Sequence, residues 1–139
     1  MRTLALIVAL GALAFAQAPA VPPAVKTAFE KAYPGAAISS ATPERDGSRT
    51  VFRVNGTQSG KRRTALYDAN GGVIEVAEQI DEKELPAPVA AAMHSHRRAI
   101  YVSGLKVTRG SSVEYRLTVR GSRKTAMVAK PDGTVISFK

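Results

Sequence analysis

Residues 63–74 read RTALYDANGGVI, and residues 124–136 read KTAMVAKPDGTVI. Each is an apolar strand-like run, a turn with Gly after Asn or Asp, and a second apolar run. Gly in that place supplies the positive φ that tight hairpins need. The same hairpin therefore occurs twice, and the likeness extends outward. Phe52-Arg53-Val54 matches Tyr115-Arg116-Leu117, and Phe29 matches Met93. Val21-Pro22-Pro23-Ala24-Val25 matches Leu85-Pro86-Ala87-Pro88-Val89. The copies lie about 62 to 64 residues apart, and a duplication has to be settled before the fold is read.

Each copy opens with Pro at a helix start, where its missing N–H costs nothing. Val25, Ala28, Phe29 and Ala32 follow the helical period, and Tyr33-Pro34-Gly35 ends the run. Val89, Ala92 and Met93 make the same stripe in the second copy. Strands are expected over about 36–45, 49–55, 62–69 and 72–79, then over about 100–108, 112–120, 123–130 and 133–138. Short Gly-containing turns make them antiparallel neighbours. The expected class is α+β: two tandem repeats, 17–80 and 81–139, each one helix packed on a four-stranded antiparallel sheet. Ile80 to Glu84 reads as a charged linker or a short extension of the preceding strand. Tyr115, Leu117 and Val119 point one way along their strand; Glu114, Arg116, Thr118 and Arg120 point the other. The same alternation is read for Leu105 and Val107 against Lys106 and Thr108. A helix covers one face of each sheet, which leaves the other open for contact.

Residues 1–16 read MRTLALIVALGALAFA, with Arg2 before an apolar stretch closed by small residues. That is the pattern of a secretory signal peptide. Gln17 and Pro19 end the run short of the roughly 20 apolar residues a membrane span needs. Cleavage after Ala16 is favoured over Ala18, which would set Pro19 directly after the cut bond. A periplasmic or secreted location follows. There is no Cys in the chain, so the core stabilises this protein without disulfides.

The Pro-led helix ending in Tyr-Pro-Gly, the aromatic-x-Val strand and the Asp/Asn-Gly hairpin resemble the PepSY-like family. These are small exported β-lactamase-inhibitor-like proteins. The resemblance covers the mature chain as two copies. It implies helix-on-sheet units, as in β-lactamase inhibitory protein, where the open sheet face clasps the enzyme. Arg97-Arg98 replaces the Tyr-Pro ending in the second copy.

The chain carries 20 basic and 11 acidic side chains, a formal charge of +9. Residues 17–83 hold nine bases against eight acids, and residues 84–139 hold ten against three. That asymmetry exceeds what solubility requires. The strand reading sets Lys106, Arg116 and Arg120 on the open face of the second sheet, with Arg123 or Lys124 beside them. A single-signed face attracts an acidic partner and speeds its encounter. The partner expected is an acidic envelope or secreted protein. Nucleic acid fits less well, because no two of Tyr33, Tyr67, Tyr101 and Tyr115 are placed together as a stacking platform. A polyanion surface and a small-ligand site between helix and sheet are the alternatives.

No catalytic constellation is read from the sequence. His94 and His96 diverge on a helix and do not share a metal. Asp68-Ala69-Asn70-Gly71 lacks the later ligands of a calcium loop and reads as a hairpin turn. The serines lack a recognisable nucleophile elbow. No cofactor and no metal site is expected.

Overall fold

Pro22 and Pro23 have no amide hydrogens to leave unsatisfied, and the chain enters a helix there. The computed structural model describes residues 20–96 and 98–139. The signal segment expected over residues 1–16, and Arg97, lie outside the described residues. The first helix, α1, spans Pro23–Ala32, and its partner α2 spans Ala87–Ser95. Helices of ten and nine residues are marginal alone in water, so packing must hold them. Val25 and Phe29 of α1 are fully buried, as are Val89 and Met93 of α2. Burial of one such side chain stabilises by about 1.5–3 kcal/mol.

Eight strands follow the alternating runs. In the first half these are β1 (Ala37–Asp46), β2 (Arg49–Gln58), β3 (Lys61–Tyr67) and β4 (Val73–Ile80). The second half contributes β5 (Ile100–Arg109), β6 (Ser112–Arg120), β7 (Lys124–Ala129) and β8 (Val135–Phe138). Ile80 closes β4, and residues Glu82–Glu84 form a single 3-10 turn before α2.

The expectation of two repeats, each a helix on its own four-stranded sheet, is corrected by the strand pairing. All eight strands form one antiparallel sheet in the order β1 to β8. The seam is β4 against β5, with Val76 opposite Thr108 through to Ile80 opposite Gly104. Two separate sheets would leave β4 and β5 as open edges with unpaired N–H and C=O groups, which is costly to leave bare. The Tyr101 hydroxyl donates to the Ile80 carbonyl where β4 ends. The outer edge β1 is blunted by Pro43 in mid-strand, and the other edge, β8, is only four residues long.

Both helices lie on the same face of this sheet. One core cluster gathers Val25, Phe29, Tyr33, Phe52, Val54, Ala65 and Tyr67. The other gathers Ile80, Leu85, Val89, Met93, Tyr115, Leu117, Val119 and Met127 with smaller neighbours. Details recur between the halves. A register irregularity at Ile38/Ser40 in β1 reappears at Tyr101/Ser103 in β5. One at Leu66/Tyr67 reappears at Val128/Ala129. Gly71 and Gly133 both have positive φ, and a Cβ would strike a carbonyl of the helix start above, Ala24 at 2.8 Å and Pro88 at 2.6 Å. Only glycine meets both demands.

The first cluster has one defect. The Tyr67 side chain is fully buried, and its hydroxyl has no hydrogen-bond partner among the described residues. An orphaned buried hydroxyl costs about 1–3 kcal/mol. Tyr67→Phe should therefore keep or raise stability, by up to about 1 kcal/mol in urea unfolding. A loss of more than about 1 kcal/mol would mean that the hydroxyl is satisfied after all.

Candidate functional site: the open face of the sheet

Residues directly opposite each other on neighbouring strands share a face, so the register assigns every strand position. Arg116 lies opposite Leu105 and Val128, Arg62 opposite Thr57, and Arg120 opposite Lys124. These positions are on the face that neither helix covers. Val51, Leu66 and Val107 are on it too, yet they are nearly inaccessible, at 1%, 5% and 3% exposure. Long polar side chains flank them and cover them with their stems. Glu44 is opposite Val51, Arg53 and Glu75 flank Leu66, and Glu114 is opposite Val107.

This face divides electrostatically into two zones. Towards the β1–β2 and β5–β6 turns, three arginines each hold a carboxylate. Arg53 holds Glu44 through two bonds, of 2.6 and 3.0 Å. Arg109 reaches Glu75 at 3.2 Å across the seam, and Arg116 reaches Glu114 at 2.6 Å. The hydrogen bond to Glu44 raises the Arg53 pKa further, so the guanidinium stays charged. Towards the opposite end no carboxylate lies on the described strands of this face. Arg62, Arg120 and Lys124 are exposed there, and no described residue forms a salt bridge with them. Arg116 stands at the boundary. A trough of about 470 Å³ runs along this end, lined by Arg62, Gln79, Ser103, Leu105, Arg116 and Thr118 among others.

The four residues expected to bind a partner are not all together. Arg116 and Arg120 lie on the open face and share one strand. Lys106 does not join them. It is opposite Tyr115 on β6 and Glu78 on β4, which sets it on the helix face. There it lines a cleft of about 260 Å³ with Arg63, Glu78, Glu84 and Tyr115. Arg123 is in the β6–β7 turn and lines a separate cleft of about 310 Å³ beside His96 and Phe138, whose rings stack at 4.5 Å. Sequence reasoning left out Arg62, because it kept the halves apart, and left Lys124 as an alternative to Arg123. The signal for Arg62 was the alternation within β3, where Ala65 faces the core and Arg62 and Thr64 face away.

Comparison with known proteins places the fold. No family model matches the chain, and no curated protein matches it in sequence. Solved structures do match. One is a protein of Bacteroides eggerthii described as a candidate periplasmic protein, at TM-score 0.68 and 16% identity. It covers 87% of this chain and 89% of its own. A BLIP-like protein of Bacteroides fragilis gives TM-score 0.61 and 20% identity over 84% of this chain and 83% of its own. A DUF2874 family protein of Bacteroides uniformis gives 0.66 and 17% over 85% and 88%. The chain thus has the fold of these proteins, a BLIP-like fold. At such identities the likeness concerns fold and not function.

The helix face is polar between its two core clusters. Arg63 is 3.7 Å from Glu78 and sits 5.7 Å over the Tyr33 ring. Lys61 bridges to Glu84 at 2.5 Å and to Asp81 at 3.2 Å. Burial, with the Glu78 carboxylate nearby, pushes the Tyr33 hydroxyl up to about 12. An unfolded tyrosine ionises near about 10. Between these values the unfolded chain has lost a proton that the folded chain retains, so stability falls as pH rises through that window. Tyr33→Phe should reduce this loss, as followed by unfolding midpoints at rising pH. An unchanged slope would show that Tyr33 ionises as freely as in the unfolded chain.

Proposed function

We propose that this chain is an exported, non-catalytic binding module that holds an acidic protein partner against the open face of its sheet. The observation that carries the reading is the acid-free end of that face, where Arg62, Arg120 and Lys124 are exposed beside Arg116. Unpaired bases on a rigid sheet cost little to present and attract a negative surface over about a Debye length. A periplasmic or secreted location is part of the proposal. It draws on the signal-like segment at residues 1–16 and on the periplasmic description of a protein with the same fold. Inhibition or modulation of a secreted enzyme is the form that the PepSY-like resemblance suggests, and a BLIP-like protein shares the architecture. The segments 17–80 and 81–139 are proposed as duplicated halves of a single sheet, in keeping with the recurring irregularities and glycines.

The second reading, a general polyanion surface, is favoured by the same charge. A small ligand between helix and sheet has less support. Val25, Phe29, Val89 and Met93 are fully buried between helix and sheet.

The test is capture from the envelope extract of the host at low and at moderate salt. The native protein should retain one protein at both. Arg116→Glu with Arg120→Glu should weaken that retention at least about tenfold, by the loss of two attractions and the gain of two repulsions. Lys106→Glu, on the other face, should leave it unchanged. Retention of only nucleic acid or lipopolysaccharide, and only at low salt, would contradict the protein-partner reading.

A further inference from the structure

The acid-free end carries a second feature besides charge. Ile100 is 58% exposed and Val102 is 40% exposed, two of the four large aliphatic side chains that the described structure leaves so open. Ile100 is directly opposite Arg120 on β6, and Arg120 is opposite Lys124 on β7. Val102 is the extra residue where β5 slips register between Tyr101 and Ser103, so no partner on β6 sets its face. Farther along the same face, in the row Leu105, Arg116 and Val128, a base stands between two aliphatic residues. The trough of about 470 Å³ includes this row. Aliphatic and basic groups therefore stand side by side across three strands, with neighbouring strands about 4.8 Å apart.

Resting on the binding reading above, we infer that this end takes an extended acidic protein segment whose carboxylates are interspersed with aliphatic side chains. The bases fix the carboxylates, and Ile100 and Leu105 receive the apolar groups between them. A phosphate or sulfate polymer would match the charge and leave the aliphatic groups without partners. A single-stranded nucleic acid would seek aromatic faces to stack on. The chain has four tyrosines, and Tyr33, Tyr67, Tyr101 and Tyr115 all belong to or pack against the core clusters on the helix face. None is available on the open face. Exposed aliphatic side chains beside unpaired bases thus favour a protein segment over a uniform polyanion.

The test is a titration by fluorescence anisotropy with three labelled probes. The first is a peptide of about ten residues alternating Glu with Leu or Ile, long enough to cross the patch. The second is an oligo-Glu with the same number of carboxylates, and the third is polyphosphate. The mixed peptide should bind about tenfold more tightly than oligo-Glu, the gain from burying one or two aliphatic side chains. Ile100→Ser with Leu105→Ser should erase that difference and leave oligo-Glu binding in place. Arg62→Glu with Arg120→Glu should weaken both peptides, and circular dichroism shows whether each variant keeps the sheet. Equal binding of all three probes, or a preference that survives the two serine substitutions, would overturn the inference while leaving the basic face as a binding surface. Failure of every acidic probe to bind would overturn the binding reading and this inference with it.

Discussion

Five cross-strand pairs, from Val76 opposite Thr108 to Ile80 opposite Gly104, join two four-stranded halves into one sheet. Without them, β4 and β5 would each present a bare edge, and each half would be a small sheet with a single short helix. The pairing is antiparallel although a 3-10 turn and α2 intervene between the strands. It brings Arg62 of the first half onto the same surface as Arg116 and Arg120 of the second. It also brings Arg109 to Glu75 across the join. The surface proposed for binding exists only because the seam is closed.

The seam mixes polar and apolar groups on both faces. On the helix face only its middle is polar, because Val76 and Ile80 at its ends pack against the α1 and α2 clusters. Glu78 is opposite Lys106 and Arg63, and the Tyr33 ring rests under the Arg63 guanidinium. On the open face Val107 lies opposite Ala77 and Leu105 opposite Gln79, beside the Arg109–Glu75 ion pair. A sheet strand is apolar where it is covered, and the covering at the seam comes from flanking side chains instead of a helix. The balanced charges of the helix face thus help to join the halves. The unbalanced charges are left at one end of the open face.

That mixture bears on what the sequence could and could not reveal. Both helices were legible from the Pro-led stripes of Val25, Phe29, Val89 and Met93, whose period does not depend on partners. All eight strands were legible within a few residues from alternation and turn glycines, since these signals are local. The union of the sheets was not, because pairing of β4 with β5 is non-local and leaves no local mark. Lys106 was assigned to the wrong face for two reasons. The extra residue between Tyr101 and Ser103 breaks the strict alternation along β5. Leu105 and Val107 also look like residues under a helix, although they lie on the other side of the sheet. Arg116 and Arg120 were legible because Tyr115, Leu117 and Val119 alternate without interruption. Arg62 was not, because its companions lie beyond the seam.

The central claim is that one uninterrupted sheet presents one binding surface drawn from both halves. It is tested most directly by backbone NMR of the assigned protein, titrated with a glutamate-rich peptide. The account predicts that shifts move together on both sides of the seam, at Arg62 and Gln79 and at Arg116, Thr118 and Arg120, with one shared affinity. Lys106 and Glu78, which point to the other face, should move much less. Shifts confined to residues 84–139, or centred on the cleft around Lys106, would contradict it.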